Sequence, residues 1–118
     1  MDNDAYLQKV LSSTPHKAEA LAWLGQKDGK ARTIGDGEQE EAASLRLVQD
    51  LYRRGAAEVT AIDIDTDAHI ETTSTLIIKL PSDMLARKKV FQVEGKIARL
   101  GGFDPSADEG QHYIMLHW

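Results

Sequence analysis

The chain has 118 residues, of which 42% are hydrophobic and 28% are charged, and this size and composition are typical of one globular domain. They exclude a disordered tail, a collagen-like fibre and a membrane protein. The absence of cysteine excludes a disulfide scaffold, a thiol nucleophile and a zinc site built from thiolates.

The formal charge of −5 indicates which partners to expect. Nucleic-acid-binding domains usually carry a pronounced basic face, so the acidic balance argues against such a partner. The first residues have neither the basic region nor the apolar stretch of a signal peptide. We therefore expect a cytoplasmic protein without a nucleic-acid or membrane partner, and the sequence indicates no cofactor.

Two short helices are predicted in residues 1–24. Apolar residues recur at helical spacing over 4–11. A second helix over 15–24 is predicted because Thr14 and Pro15 form a typical helix start and Gly25 a typical end. Isolated helices of this length are marginally stable, so both must dock on the rest of the domain.

Residues 25–37 are predicted to form a loop. They contain four glycines and only two apolar residues, Ala31 and Ile34. A weak edge strand around 31–34 is the alternative. Few apolar side chains offset the entropy of ordering this segment, so we expect it to be the most mobile internal part of the chain. Such a segment would also suit a lid over a small ligand.

The remaining residues, 38–118, predict a helix–strand–strand–helix–strand core. The first helix, 38–54, has acidic residues in its first turn and Arg53 and Arg54 in its last, as the helix dipole favours. Strands are predicted over 58–65, 73–80 and 111–118 by their alternating or continuous apolar residues. The side of the sheet that faces the helices is expected to carry Ile62, Ile64, Leu76 and Ile78.

Residues 82–100 fit two structures. As a helix beginning at Ser82, they place an apolar stripe along four turns. As a hairpin, they would turn at Glu94 and Gly95. The helix is favoured because the stripe is long and Glu-Gly is a weaker hairpin signal than Asn-Gly or Asp-Gly.

These elements predict a single α+β domain with a small, mostly antiparallel sheet of three or four strands packed against helices. The order resembles the ferredoxin-like βαββαβ arrangement, without a confident first strand and with two extra helices at the start. This is a resemblance of architecture alone, and it implies no activity.

One acidic pattern suggests metal chemistry. Asp63, Asp65, Asp67, His69 and Glu71 recur at two-residue spacing, so a continuous strand would place all five on one face. Aspartate and histidine are common metal ligands, which makes Asp63, Asp65 and His69 candidates for a metal site.

Two known motifs come near this pattern without fitting it. A calcium loop starting at Asp63 would need glycine and glutamate where Ala68 and Ser74 stand. The pair Asp63 and Asp65 after an apolar strand resembles the haloacid dehalogenase signature, but Asp67 stands where that signature has threonine or valine. An ordinary polar connection between two strands accounts for the acidic residues, and it is favoured over a metal site.

The sequence does not specify a biochemical activity, and the favoured function is a non-catalytic binding or assembly domain. Residues 111–118 have apolar side chains on both faces, unlike a strand with one face in water. We therefore expect a homodimer, or a protein partner, with Ile77, Tyr113 and Met115 as interface candidates. The alternatives are a metal-dependent enzyme or metal-binding protein that uses 63–71, and a small-ligand regulatory module.

Overall fold

The computed structural model describes residues 2–35 and 41–118. Its elements, in chain order, are α1 (Asn3–Ser13), β1 (Ala18–Glu19), α2 (Ala20–Leu24), β2 (Ala31–Ile34), α3 (Glu41–Arg54), β3 (Glu58–Ile62), β4 (Asp65–Thr66), β5 (Ile70–Thr73), β6 (Thr75–Lys79), α4 (Met84–Leu100) and β7 (Tyr113–His117). They form a four-stranded antiparallel sheet and a three-stranded mixed sheet packed with helices, which confirms the α+β class.

The two sheets meet at Ser74. The first sheet has the order β1–β3–β6–β7, and the second has the order β2–β5–β4, with β2 parallel to β5. Only Ser74 separates β5 from β6, and β2 and β7 both end beside this point. There the Gly35 N–H donates to the Thr73 carbonyl, and the Trp118 N–H donates to the Ser74 carbonyl. The ferredoxin-like detail is not confirmed, because β2 and β7 lie in different sheets.

The predicted second helix over 15–24 is wrong in its first half. Ala18 and Glu19 pair with β3 as an edge strand. The helix α2 begins only after Glu19, whose carboxylate accepts the N–H groups of Leu21 and Ala22. Thr14, the expected start, instead ends α1. Hydrogen bonds to a distant strand override the local helix signal here.

The expected loop over 25–37 contains a strand, as the alternative interpretation of 31–34 proposed. In β2 all four residues pair with β5, and three of them are buried. Residues 36 and 37 lie outside the described residues, as do 38–40 of the predicted helix 38–54. A paired, buried strand leaves the lid interpretation without its main support.

The helix interpretation of 82–100 is confirmed, and the hairpin alternative is wrong. The helix α4 is capped by Asp83 rather than Ser82, because the Asp83 carboxylate accepts the N–H of Ala86 at 2.8 Å. Gly95, which weakens a helix, lies where the segment after α4 packs closely. A Cβ atom at Gly95 would be 3.4 Å from the Cβ of Pro105.

Apolar cores lie on both faces of the first sheet. The larger core joins α2, α3 and α4 to the side chains of Val59, Ala61, Leu76 and Ile78. On the opposite face, Leu7 of α1 packs against Ile62 and Ile77. The prediction for β6 is therefore confirmed, whereas the face predicted for Ile62 is wrong. Cross-strand partners share a face, and Val59 and Ala61 are the partners of Ile78 and Leu76.

Candidate functional site

The acidic residues after β3 do not form the continuous stripe that a metal site would need. Asp63 adopts a left-handed conformation with φ of 50°, which ends β3 and changes the direction of the chain. Asp63, Asp65 and His69 are all exposed. In the described parts of the chain, no three histidine, aspartate or glutamate side chains lie close enough to hold a metal ion.

Glu71, the last member of the acidic pattern, belongs to a cluster around the buried side chain of Arg32. The Arg32 side chain is 2% exposed; its Nε donates to Glu71 at 2.8 Å, and its two Nη atoms donate to Asp28 at 2.8 and 2.6 Å. The Glu71 carboxylate also accepts hydrogen bonds from the Trp23 indole and the Thr66 hydroxyl. This cluster, which we call the Arg32 cluster, links β2, β5, β4 and α2.

Both carboxylates of the Arg32 cluster are stabilised in their charged form. Burial opposes the ionisation of Glu71, but hydrogen bonds from Thr66, Arg32 and Trp23 outweigh it and lower the pKa of this carboxyl. Hydrogen bonds from Arg32 hold the pKa of Asp28 far below its ordinary value. Arg32, Asp28 and Glu71 are therefore all paired with one another through Arg32. We conclude that the Arg32 cluster has a structural role.

The three interface candidates have different environments. Ile77 is 1% exposed because α1 covers it, and Tyr113 is half-buried beside the same helix. Met115 is 42% exposed. The helix α1 thus packs on the face of the first sheet that carries Ile77 and Tyr113. Of the three interface candidates, Met115 is the one that remains exposed.

Met115 lies in β7, the edge strand of the first sheet. β7 pairs with β6 in the antiparallel direction. At the two ends of this pair, the His112 carbonyl accepts the Leu80 N–H, and the Trp118 N–H donates to the Ser74 carbonyl. Residues of even number in β7 therefore direct their backbone groups toward β6. The backbone N–H and C=O groups of Tyr113, Met115 and His117 point the other way, toward the open edge.

The start of this edge is closed by α1. The Tyr113 N–H donates to the Asp4 carboxylate at 3.2 Å, and the Tyr113 carbonyl accepts the Asn3 side-chain amide at 2.7 Å. Asp4 also accepts the backbone N–H of His112. Burial opposes the ionisation of Asp4, but its bonds to His112 and Tyr113 outweigh burial and lower the pKa of its carboxyl.

The rest of the edge is open. Within residues 2–35 and 41–118, no group bonds the outward N–H and C=O of Met115 or His117. The strand carries no aspartate, glutamate, lysine, arginine, glycine or proline, the residues that usually protect an edge from pairing. Met115 and His117 line a cleft of about 170 Å³, which Phe103 and Ser106 also line. We call Met115, Leu116 and His117 the open edge.

Phe103, Asp104 and Ser106 line the other side of this cleft. They belong to residues 103–110, which we call the strap. Two buried side chains of α4 hold the strap in place. Arg87 donates to the Asp108 carboxylate at 2.6 and 3.2 Å, and Glu94 accepts the Ser106 N–H at 2.8 Å. The strap is thereby attached to α4 rather than to β7, and it does not extend the sheet.

Comparisons with known proteins identify no relative: no protein family, curated protein or solved structure matches the chain. Among the helices of the described residues, none combines the length and the apolar character that crossing a lipid bilayer requires. The open edge is the feature that sequence reasoning located only in part. The apolar composition of 111–118 indicated it, but the closing role of Asp4, 109 residues from Tyr113, left no sequence signal.

Proposed function

We propose that this chain is a non-catalytic, cytoplasmic assembly domain that forms a homodimer through its open edge. The observation that carries the proposal is the contrast within β7. The backbone groups of Tyr113 are closed by α1, whereas those of Met115 and His117 are unpaired in the described parts of the chain. An unpaired, uncharged edge strand is a template for pairing with another strand.

The closed start of the edge selects one register for two copies. If the two-fold axis passed through Met115, Tyr113 would have to pair with the partner's His117, and its backbone groups are already bonded to Asn3 and Asp4. An axis through Leu116 avoids this conflict. It pairs Met115 with the partner's His117 on both sides of the axis, and each such pair exchanges two hydrogen bonds.

The edge suits a second copy of itself because the pairing is symmetric and free of repulsion. Leu116 faces its own counterpart, and the open edge carries no carboxylate, lysine or arginine that would oppose a like charge. The pairing would join two four-stranded sheets into one continuous sheet. Two-fold dimers that bury the same surface on both subunits are the commonest assemblies of soluble proteins.

Light scattering on a gel-filtration peak tests the proposal, and Met115→Pro is the sharpest variant. Proline removes only the N–H of Met115, which points away from β6, so the sheet within each copy keeps its hydrogen bonds. The wild type should have about twice the chain mass of 13.0 kDa. Met115→Pro and Met115→Lys should raise the dimer dissociation constant by about tenfold or more.

Met84→Lys is the matched control, because Met84 is 82% exposed and lies at the start of α4, outside the open edge. This variant should remain dimeric. Circular dichroism checks that each variant is folded. A wild type that stays at 13 kDa at every concentration would refute the dimer, and a dimer that persists in both Met115 variants would refute this interface.

A further inference from the structure

A separate surface, the groove between α3 and α4, has the form of a small-molecule site. Its volume is about 470 Å³, within the range of about 300–1,000 Å³ that is usual for ligand pockets. It follows α3 from Ala43 to Arg54, a length of about 16 Å at the helical rise. The groove is therefore long enough to favour an extended ligand.

The groove changes character along its length. Arg54 of α3 donates to the Lys89 carbonyl and to the Gln92 side chain, so this end of the groove is polar. Lys96 lines the groove on the next turn of α4. Val93 lies next to Gln92 at the polar end, and beyond Lys96 the lining side chains are apolar: Leu47, Ile97, Leu100 and Trp118. A ligand that matches this arrangement has one polar end and an apolar body.

The charged side chains at the polar end indicate the sign of the charge that a ligand should carry. Arg54 and Asp50 are paired at 2.8 Å and largely neutralise each other. Lys96 is exposed, and in the described residues no carboxylate lies within ion-pair distance of it. A lysine with no carboxylate partner among the described residues, beside an apolar groove, complements a single negative charge.

We infer that this groove binds a single-chain amphipathic carboxylate of the medium-chain fatty-acid class. Its carboxylate pairs with Lys96, and its alkyl chain lies over Leu47, Ile97 and Leu100 toward Trp118. The volume and the single charge favour such a molecule over a partner helix, which would cover a larger surface. This inference does not rest on the proposed dimer, because none of Met115, Leu116 and His117 lines the groove.

The two tryptophans provide the test without a label. Trp118 lines the groove, whereas Trp23 is 2% exposed and bonded to Glu71. In a titration with decanoate, the indole N–H resonance of Trp118 should shift and saturate, and that of Trp23 should stay unchanged. A Trp118→Phe variant assigns the two resonances. Decanol, which has the same chain without the charge, should bind at least about tenfold more weakly.

Lys96→Glu should weaken decanoate binding by about tenfold or more, and Lys88→Glu is its matched control on the same helix outside the groove. Leu100→Asp, at a side chain that is 79% exposed, should weaken binding without loss of the fold. Equal binding by the Lys96 and Lys88 variants would overturn the carboxylate site. An unsaturable shift, or a shift of both indoles, would show detergent-like contact only and would also overturn it.

Discussion

Arg32 and Arg87 are both buried, yet they hold very different parts of the molecule. Arg32 is 2% exposed and connects a strand to two carboxylates from other segments. Arg87 is 8% exposed, pairs with Asp108 and lies over the Phe91 ring at 5.8 Å. Arg32 joins β2 to β5 within the second sheet. Arg87, by contrast, joins the exposed strap to α4. Burial alone therefore does not measure how much of a fold depends on a charge.

The largest effect is expected from Arg32→Met. Removal of the guanidinium leaves Glu71 with an uncompensated charge in a nearly buried site, and losing one partner of a buried pair costs about 3–5 kcal/mol. The free energy of unfolding, measured with urea, should fall by about this amount. Arg53→Met is the control, because the Arg53 side chain is 74% exposed. Equal losses in the two variants would contradict the role given to the Arg32 cluster.

A smaller and local effect is expected from Arg87→Met. Methionine keeps much of the apolar stem against Phe91 but removes the hydrogen bonds to Asp108 and to the Pro81 carbonyl. The free energy of unfolding should fall by only about 1–2 kcal/mol. Hydrogen exchange should become faster in the strap and stay unchanged in β2. Faster exchange throughout the second sheet would show that the two arginines are coupled.

The smallest effect is a difference in acid sensitivity. The folded-state pKa values of Glu71 and Asp28 lie below their ordinary values of 4.5 and 3.8. Their contribution to stability is therefore complete above these ordinary values and is lost as the pH falls below them. When the pH is lowered from 7 to 3, the free energy of unfolding should fall less in Arg32→Met than in the wild type. Urea unfolding curves at each pH measure this difference. An identical pH dependence in both proteins would contradict the assignment.

The sequence predicted those parts of the structure that depend on local pattern. The four-turn apolar stripe of α4 was sufficient to identify the helix despite Gly95, because a long stripe outweighs one unfavourable residue. The faces of β3 could not be predicted, since they depend on which residues of β6 they oppose. A shift of the β3–β6 pairing by one residue would place Ile62, rather than Ala61, on the face of the sheet that contributes to the larger core.

The candidate site was harder to predict for the same reason. Glu71 was grouped with its acidic neighbours in the sequence, but its partner Arg32 is 39 residues away. The apolar strand at 111–118 was recognised, whereas its division into a closed start and an open edge depends on Asn3 and Asp4. Contacts between such distant residues arise from the topology, which local residue patterns do not encode.

The meeting of β2 and β7 beside Ser74 has a consequence for the order of folding. Both strands take their main-chain partners from β5 and β6, so neither can pair until residues 70–79 are in place. During synthesis β2 emerges before its partner β5, which follows about 40 residues later in the chain. The segment that joins β3 to β6 is shorter than the one that joins β2 to β5, so we expect the pair of β3 and β6 to form first. We therefore expect the chain to assemble from its middle outward, with β2 and β7 added last.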